Sequence, residues 1–157
     1  MKKWLAPLIL FVLVAIDQVT KYFAKQFLEG TNGVPIIKDV LLLQYLEGGN
    51  TGAAFGILSG KTQLLGAFSL VVFIVLVLVY YFLTKRSQQK FLPACILVLS
   101  AGALGNCIDR LARQYVVDFI YFKPIDFPVF NVADIYVTVA AVTMFILVAF
   151  AKETQEE

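Results

Sequence analysis

Two aspartates have neighbours that do not suit an ordinary surface acid. Asp118 sits at the centre of the apolar run Val116-Val117-Asp118-Phe119-Ile120, and Asp134, sixteen residues on, opens an otherwise uncharged stretch from Ile135 to Ala151. An ionisable group at membrane depth is costly unless it is paired or used. When two carboxylates share a site, one pKa is raised and the pair holds a single proton at moderate pH. The ionised member then takes a proton from water while the protonated member polarises an amide carbonyl. Such a pair hydrolyses a peptide bond without histidine, thiol, serine or metal. The chain contains no histidine, which removes the commonest general base and metal ligand. The same acids also suit a small proton- or ion-coupled carrier. A plain helix cap is a further reading of Asn131-Val132-Ala133-Asp134, with Asn131 at the N-cap and Asp134 at the third helical position. Composition and spacing leave these readings open.

Other polar residues interrupt apolar stretches at helical spacings. Asp17 and Lys21 are four apart, as an internal ion pair on one helix face requires. Gly102, Asn106, Asp109 and Arg110 recur at intervals of three and four, so Asn106 and Arg110 point to one place. Gly102 and Gly105 would let another helix approach closely. Arg110 offers a planar fork of donors suited to a carboxylate, carbonyl or phosphate. Cys95 and Cys107 lie inside an apolar run and form neither a disulfide framework nor a zinc signature.

The elements that must position these groups are membrane spans. Of the 157 residues, 60% are hydrophobic and 15% charged, with a mean hydropathy of +0.82, against about 45–50% apolar and about 25% charged in soluble domains. That excludes a cytosolic globule and a disordered chain. A net charge of +2 is too small for a nucleic-acid groove. A bilayer core needs roughly 20 apolar residues per helix, and the sequence supplies spans at about 4–23, 64–83, 91–108 and 134–151 within a single domain, 1–157. Lys2, Lys3 and the following apolar run resemble a secretory signal peptide, but no small-x-small cleavage site follows Val14. Four spans put both termini on one side. The cations outside the spans divide six against six, but Lys85, Arg86 and Lys90 crowd the short connection from Thr84 to Lys90, and short loops weigh most in the positive-inside rule. Both termini are therefore expected in the cytoplasm, with connections 25–63 and 109–130 on the other face. Strands are expected at Val34 to Ile37 and Val40 to Leu46, bounded by Asn32-Gly33 and Gly48-Gly49, as a small sheet lying on the membrane surface.

At these residues the sequence strongly resembles lipoprotein signal peptidase, the signal peptidase II of bacteria. The resemblance runs in order through Asp17-Gln18-Val19-Thr20-Lys21, Asn50-Thr51-Gly52-Ala53-Ala54-Phe55-Gly56, Gly102 to Arg110, Val116-Val117-Asp118-Phe119 and Phe130-Asn131-Val132-Ala133-Asp134. It implies a membrane α-helical fold with an extracytoplasmic β-cradle, and an aspartic endopeptidase of the cytoplasmic membrane. Its substrates would be prolipoproteins whose cysteine carries a diacylglyceryl group, cut just before that cysteine. Asp118 and Asp134 would be the catalytic pair. Asn50, Gly52, Asn106, Arg110 and Asn131 would bind substrate, and Asp17, Lys21 and Asp109 would serve structure. The resemblance implies no metal or organic cofactor, contact with membrane lipid, and inhibition by globomycin. The position of Asp134 near a helix N-terminus favours its ionised form, so Asp134 is expected to start as the base and Asp118 as the acid.

Overall fold

The computed structural model describes residues 5–53, 57–86 and 91–153. Trp4, Lys2, Lys3, Lys90 and the Ala54-Phe55-Gly56 part of the second motif lie outside them. Four helices are long and apolar enough to cross a membrane: α1 (Leu5–Leu28), α2 (Thr62–Arg86), α3 (Phe91–Ala112) and α4 (Val132–Glu153). At about 1.5 Å per residue each exceeds the hydrocarbon thickness. Large apolar side chains such as Phe11, Phe68, Val71 and Phe145 face outward, as lipid-facing residues do.

The helices run past the apolar stretches counted from sequence. α1 continues to Leu28 because Asp17 and Lys21, which break the hydropathy, are turned inward and fully buried. α3 continues through Asp109 and Arg110 to Ala112. It is the central helix, packed against α1, α2 and α4, and its buried face holds Ser100, Ala101, Gly102, Gly105, Asn106 and Asp109. Gly102 and Gly105 allow this packing. A Cβ at Gly102 would stand 2.5 Å from the Ala133 carbonyl oxygen, and one at Gly105 would stand 2.5 Å from Asp17 Oδ2.

The two longer connections meet in one antiparallel sheet of order β1-β2-β3, with β1 at Val34–Ile37, β2 at Leu41–Leu43 and β3 at Ile120–Phe122. The register pairs Val34 with Leu43 and Leu43 with Ile120. β1 matches the expected strand, whereas β2 is shorter than Val40 to Leu46. Beyond Leu43 the amides of Gln44 and Leu46 still bond the carbonyls of Phe119 and Asp118, at 2.9 and 3.0 Å, but outside a regular ladder. The run around Asp118 is likewise no strand. The Val117 amide donates to the Asp109 side chain at 3.1 Å rather than to a neighbouring strand, so regular pairing begins only at Ile120. Isolated bridges join Asn50 to Val116 and Ile120 to Phe130. Beneath the sheet, Ala24, Leu28, Tyr45, Val117 and Phe119 form a small buried core.

Candidate active site

Asp118 and Asp134 come from different elements and line one cavity of about 830 Å³, within the range of about 300–1,000 Å³ typical of ligand pockets. Asn50, Asn106 and Arg110 also line it. Asn131 lies behind the wall and joins the two acids. Its Nδ2 donates to Asp118 Oδ1 at 2.6 Å, and its Oδ1 accepts from the Asp134 amide at 3.0 Å. The Asn131 amide in turn donates to Asp134 Oδ2 at 3.1 Å. This is a reciprocal cap of the kind expected at a helix start. The capping and acid-pair readings are therefore not rivals, because the residues that cap α4 also aim Asp134.

Each carboxylate oxygen of the pair accepts one amide N–H. Asp118 Oδ2 takes Asn50 Nδ2 at 2.8 Å, and Asp134 Oδ1 takes Asn106 Nδ2 at 2.8 Å. Asn50 is oriented by the Gly52 amide, which donates to its Oδ1 at 2.9 Å. Gly52 thus acts through its backbone. The Asp118 carboxyl is pushed up to about 7, first by burial and then by the charge of Asp134. The amides of Asn50 and Asn131 and the Lys21 ammonium pull it back only in part. An acid near 7 that shares a wall with a second carboxylate fits proton exchange at neutral pH.

Arg110 points to the same cavity as Asn106, as their spacing predicts. Its Nη2 donates to the Gly52 carbonyl at 3.2 Å and its Nη1 to Ser69 Oγ at 3.3 Å. Among the described residues its buried Nε has no hydrogen-bond partner. Behind the cavity, Lys21 lies between Asp17 and Asp109 at 2.9 and 3.1 Å, and Arg113 pairs with the far side of Asp109. All three expected structural residues are fully buried.

Sequence reasoning passed over several parts of the site. Ser69 was visible as a polar interruption of the second span, but its partner was not. Gln18, whose Nε2 lies between Asp17 and Asp109 at 3.1 and 3.2 Å, stands in the first family motif but carries no role that the sequence assigns. In the outer wall, Phe130 stands in the last family motif, whereas Tyr121, Asp126 and Phe127 carry no sequence signal beyond an aromatic-rich connection. Tyr121 Oη donates to Asp126 Oδ1 at 2.6 Å. Among the described residues, no three His, Cys, Asp or Glu side chains converge as a metal centre requires.

The sequence model for Signal peptidase (SPase) II matches residues 9–150. The lipoprotein signal peptidase of Caldanaerobacter subterraneus subsp. tengcongensis is 42% identical over 147 residues, covering 93% of this chain and 97% of that protein. The lipoprotein signal peptidase of Lactococcus lactis subsp. cremoris is 37% identical over 155 residues, covering 99% and 100%. A bacterial membrane enzyme solved by the in meso method at 2.3 Å resolution superposes with a TM-score of 0.80. It is 36% identical and covers 99% of this chain and 93% of that one.

Proposed function

The chain belongs to the signal peptidase II family, and from that membership we propose that it is an aspartic endopeptidase whose acid pair is Asp118 and Asp134. The family makes it a multi-pass bacterial membrane protease that removes signal peptides from prolipoproteins. The finer reading is that the whole chain forms one peptidase domain. It cuts just before a cysteine that already carries a diacylglyceryl group. The observation that carries this reading is that Asp118 and Asp134 line one cavity and are joined through Asn131.

In the proposed reaction Asp134, in the first turn of α4 where the helix dipole favours negative charge, starts ionised, and Asp118, whose carboxyl burial pushes up, starts protonated. Asp134 takes a proton from water as the oxygen attacks the carbonyl carbon of the scissile bond. The proton of Asp118 passes to the carbonyl oxygen, giving a neutral tetrahedral diol. As the C–N bond breaks, Asp134 gives its proton to the departing amine and one diol hydroxyl returns a proton to Asp118. The cycle closes without net proton uptake and uses no metal or organic cofactor. Asn50, Asn106 and Arg110, which line the cavity, bind the substrate backbone.

The lipid-anchored cysteine brings its bond to the membrane face, so the site lies near the extracytoplasmic surface with both termini in the cytoplasm. Apolar side chains of the wall, among them Phe127, Val129, Phe130, Ile135 and Val137, would receive the acyl chains beside membrane lipid. Globomycin-type cyclic peptides would occupy the same cavity. The test is purified protein offered diacylglyceryl-modified and unmodified precursor, with product termini read by mass spectrometry. Cleavage of the modified precursor alone, immediately before the cysteine and blocked by globomycin, is expected. Equal cleavage of both precursors, or a cut elsewhere, would contradict the reading.

A further inference from the structure

Each aspartate of the pair follows a residue whose backbone amide is held by a different arm of one buried ion cluster. The Ala133 amide, just before Asp134, donates to Asp17 Oδ1 at 2.9 Å. The Val117 amide, just before Asp118, donates to Asp109 Oδ2 at 3.1 Å. The Oδ2 atoms of Asp17 and Asp109 both accept from the Lys21 ammonium, at 2.9 and 3.1 Å, and all three side chains are fully buried. The path Ala133–Asp17–Lys21–Asp109–Val117 therefore bridges the two aspartates from behind. Lys21 uses its third donor on Asn106 Oδ1 at 2.9 Å. An ammonium only donates, so the oxygen of Asn106 must face it and the amide nitrogen must face Asp134.

We propose that the Asp17–Lys21–Asp109 cluster is a spacer that fixes the separation of Asp118 and Asp134, with Lys21 as its positioning residue. The inference rests on the acid-pair reading above. Without the ammonium, the Oδ2 atoms of Asp17 and Asp109 lose the cation between them. Gln18 Nε2 and, on the far side of Asp109, Arg113 remain, but the repulsion across the vacated point is strong where water does not screen it. Each carboxylate holds an amide next to a reacting aspartate, so their separation carries the pair apart. Gly105 lets the bridge close, since a Cβ there would stand 2.5 Å from Asp17 Oδ2 and 3.2 Å from Ala133 Cβ.

Separation of the pair is readable in its titration. Two carboxylates that interact strongly titrate in two macroscopic steps whose gap measures their coupling. The charged and titratable groups around them are Asp17 and Lys21 from α1, and Asp109, Arg110 and Arg113 from α3. Tyr136 joins them from α4 through its interaction with Asp17, and Tyr121 and Asp126 from the outer wall. Among the described residues of α2, the side chain hydrogen-bonded to Arg110 is Ser69, which does not titrate. Loss of the Lys21 charge alone moves both steps in the same direction. Loss of the spacer narrows the gap.

The experiment is the pH dependence of kcat/KM for the full-length purified enzyme on a diacylglyceryl-modified precursor, with circular dichroism confirming the fold of each variant. Lys21→Met should narrow the gap between the two limbs by about one pH unit, as expected when like charges move apart, and lower the maximum. Adding Asp17→Asn to Lys21→Met removes the facing charge and should widen the gap again. A lower maximum with an unchanged gap, or limbs that shift together, would overturn the spacer. If Lys21→Met does not fold, Lys21→Gln, which removes the charge but keeps one donor, is read on the same gap, and an unchanged gap there overturns the spacer. Asp118→Asn runs in the same assay. Cleavage by that folded variant defeats the acid-pair reading itself, whereas an inactive Asp118→Asn beside an unchanged gap defeats only the spacer.

Discussion

The Arg110 guanidinium ties together the Gly52 carbonyl and Ser69 of α2 with its two terminal nitrogens. A lysine keeps the charge but has one head and cannot span both acceptors. Losing one charged hydrogen bond removes about 1.5–3 kcal/mol, so Arg110→Lys should lower kcat/KM roughly tenfold to a hundredfold. Parent-like cleavage would reduce Arg110 to an interfacial anchor. Asp118 has a different signature. Its carboxyl lies at about 7 against an ordinary 3.8, so between those values the unfolded chain releases a proton that the folded chain keeps. Folding stability therefore falls as pH rises through that window and levels off above about 7. Thermal melts of Asp118→Asn should gain on the parent across the window and then stay level, and a pH-independent difference would refute the raised pKa. Activity that needs protonated Asp118 should fall as pH passes 7. The two acids were legible in the sequence because an isolated charge in apolar company has few innocent explanations. Spacing made Asn131 legible as a cap and the resemblance gave it a substrate-binding role, but its link to Asp118 was not legible, since that bond joins residues on separate elements.

At the scale of elements, Gly102 carries the approach of α4. Its added Cβ would meet the backbone carbonyl of Ala133 at 2.5 Å and Val137 Cγ2 at 2.7 Å, and a backbone atom in the first turn of a helix cannot yield cheaply. Overpacking of this kind typically costs about 1–3 kcal/mol. Gly102→Ala should lower the thermal midpoint and displace Asp134, with loss of cleavage. Gly66→Ala, whose Cβ would meet the side-chain end of Leu111 at 2.9 Å, should be milder in both measurements. Equal effects would mean that α4 is not held where Gly102 places it. The helices were legible because twenty apolar residues in a row have few other uses. The strands were less so. Leu41 to Leu46 is apolar but for Gln44, and because the Gln44 amide still bonds the Phe119 carbonyl, that residue type does not by itself mark Leu43 as the end of regular pairing. The Asp118 segment reads as a strand by composition, but Asp109 takes the Val117 amide, a contact between α3 and the connection that follows it.

At the scale of the whole molecule, the proposed orientation puts the sheet outside the cell and the α2–α3 connection inside. In a Cys95→Ala/Cys107→Ala background, Lys38→Cys should react with a membrane-impermeant maleimide in intact cells, and Lys85→Cys only after permeabilisation. The reverse pattern would invert the topology. That background should itself cleave within a few-fold of the parent, because the buried Cys107 thiol donates to the Gly66 carbonyl at 3.5 Å, away from the two aspartates, and the acid pair needs no sulfur. The most direct measurement of the central claim is cleavage of diacylglyceryl-modified precursor by Asp118→Asn, Asp134→Asn and the double variant. The exposed Asp39→Asn serves as control, and each protein is first shown to fold. Each single variant should leave uncut lipidated precursor, and the double should be little worse than either, because groups that act as one unit are non-additive. Substantial cleavage by a folded Asp118→Asn or Asp134→Asn protein would contradict the account.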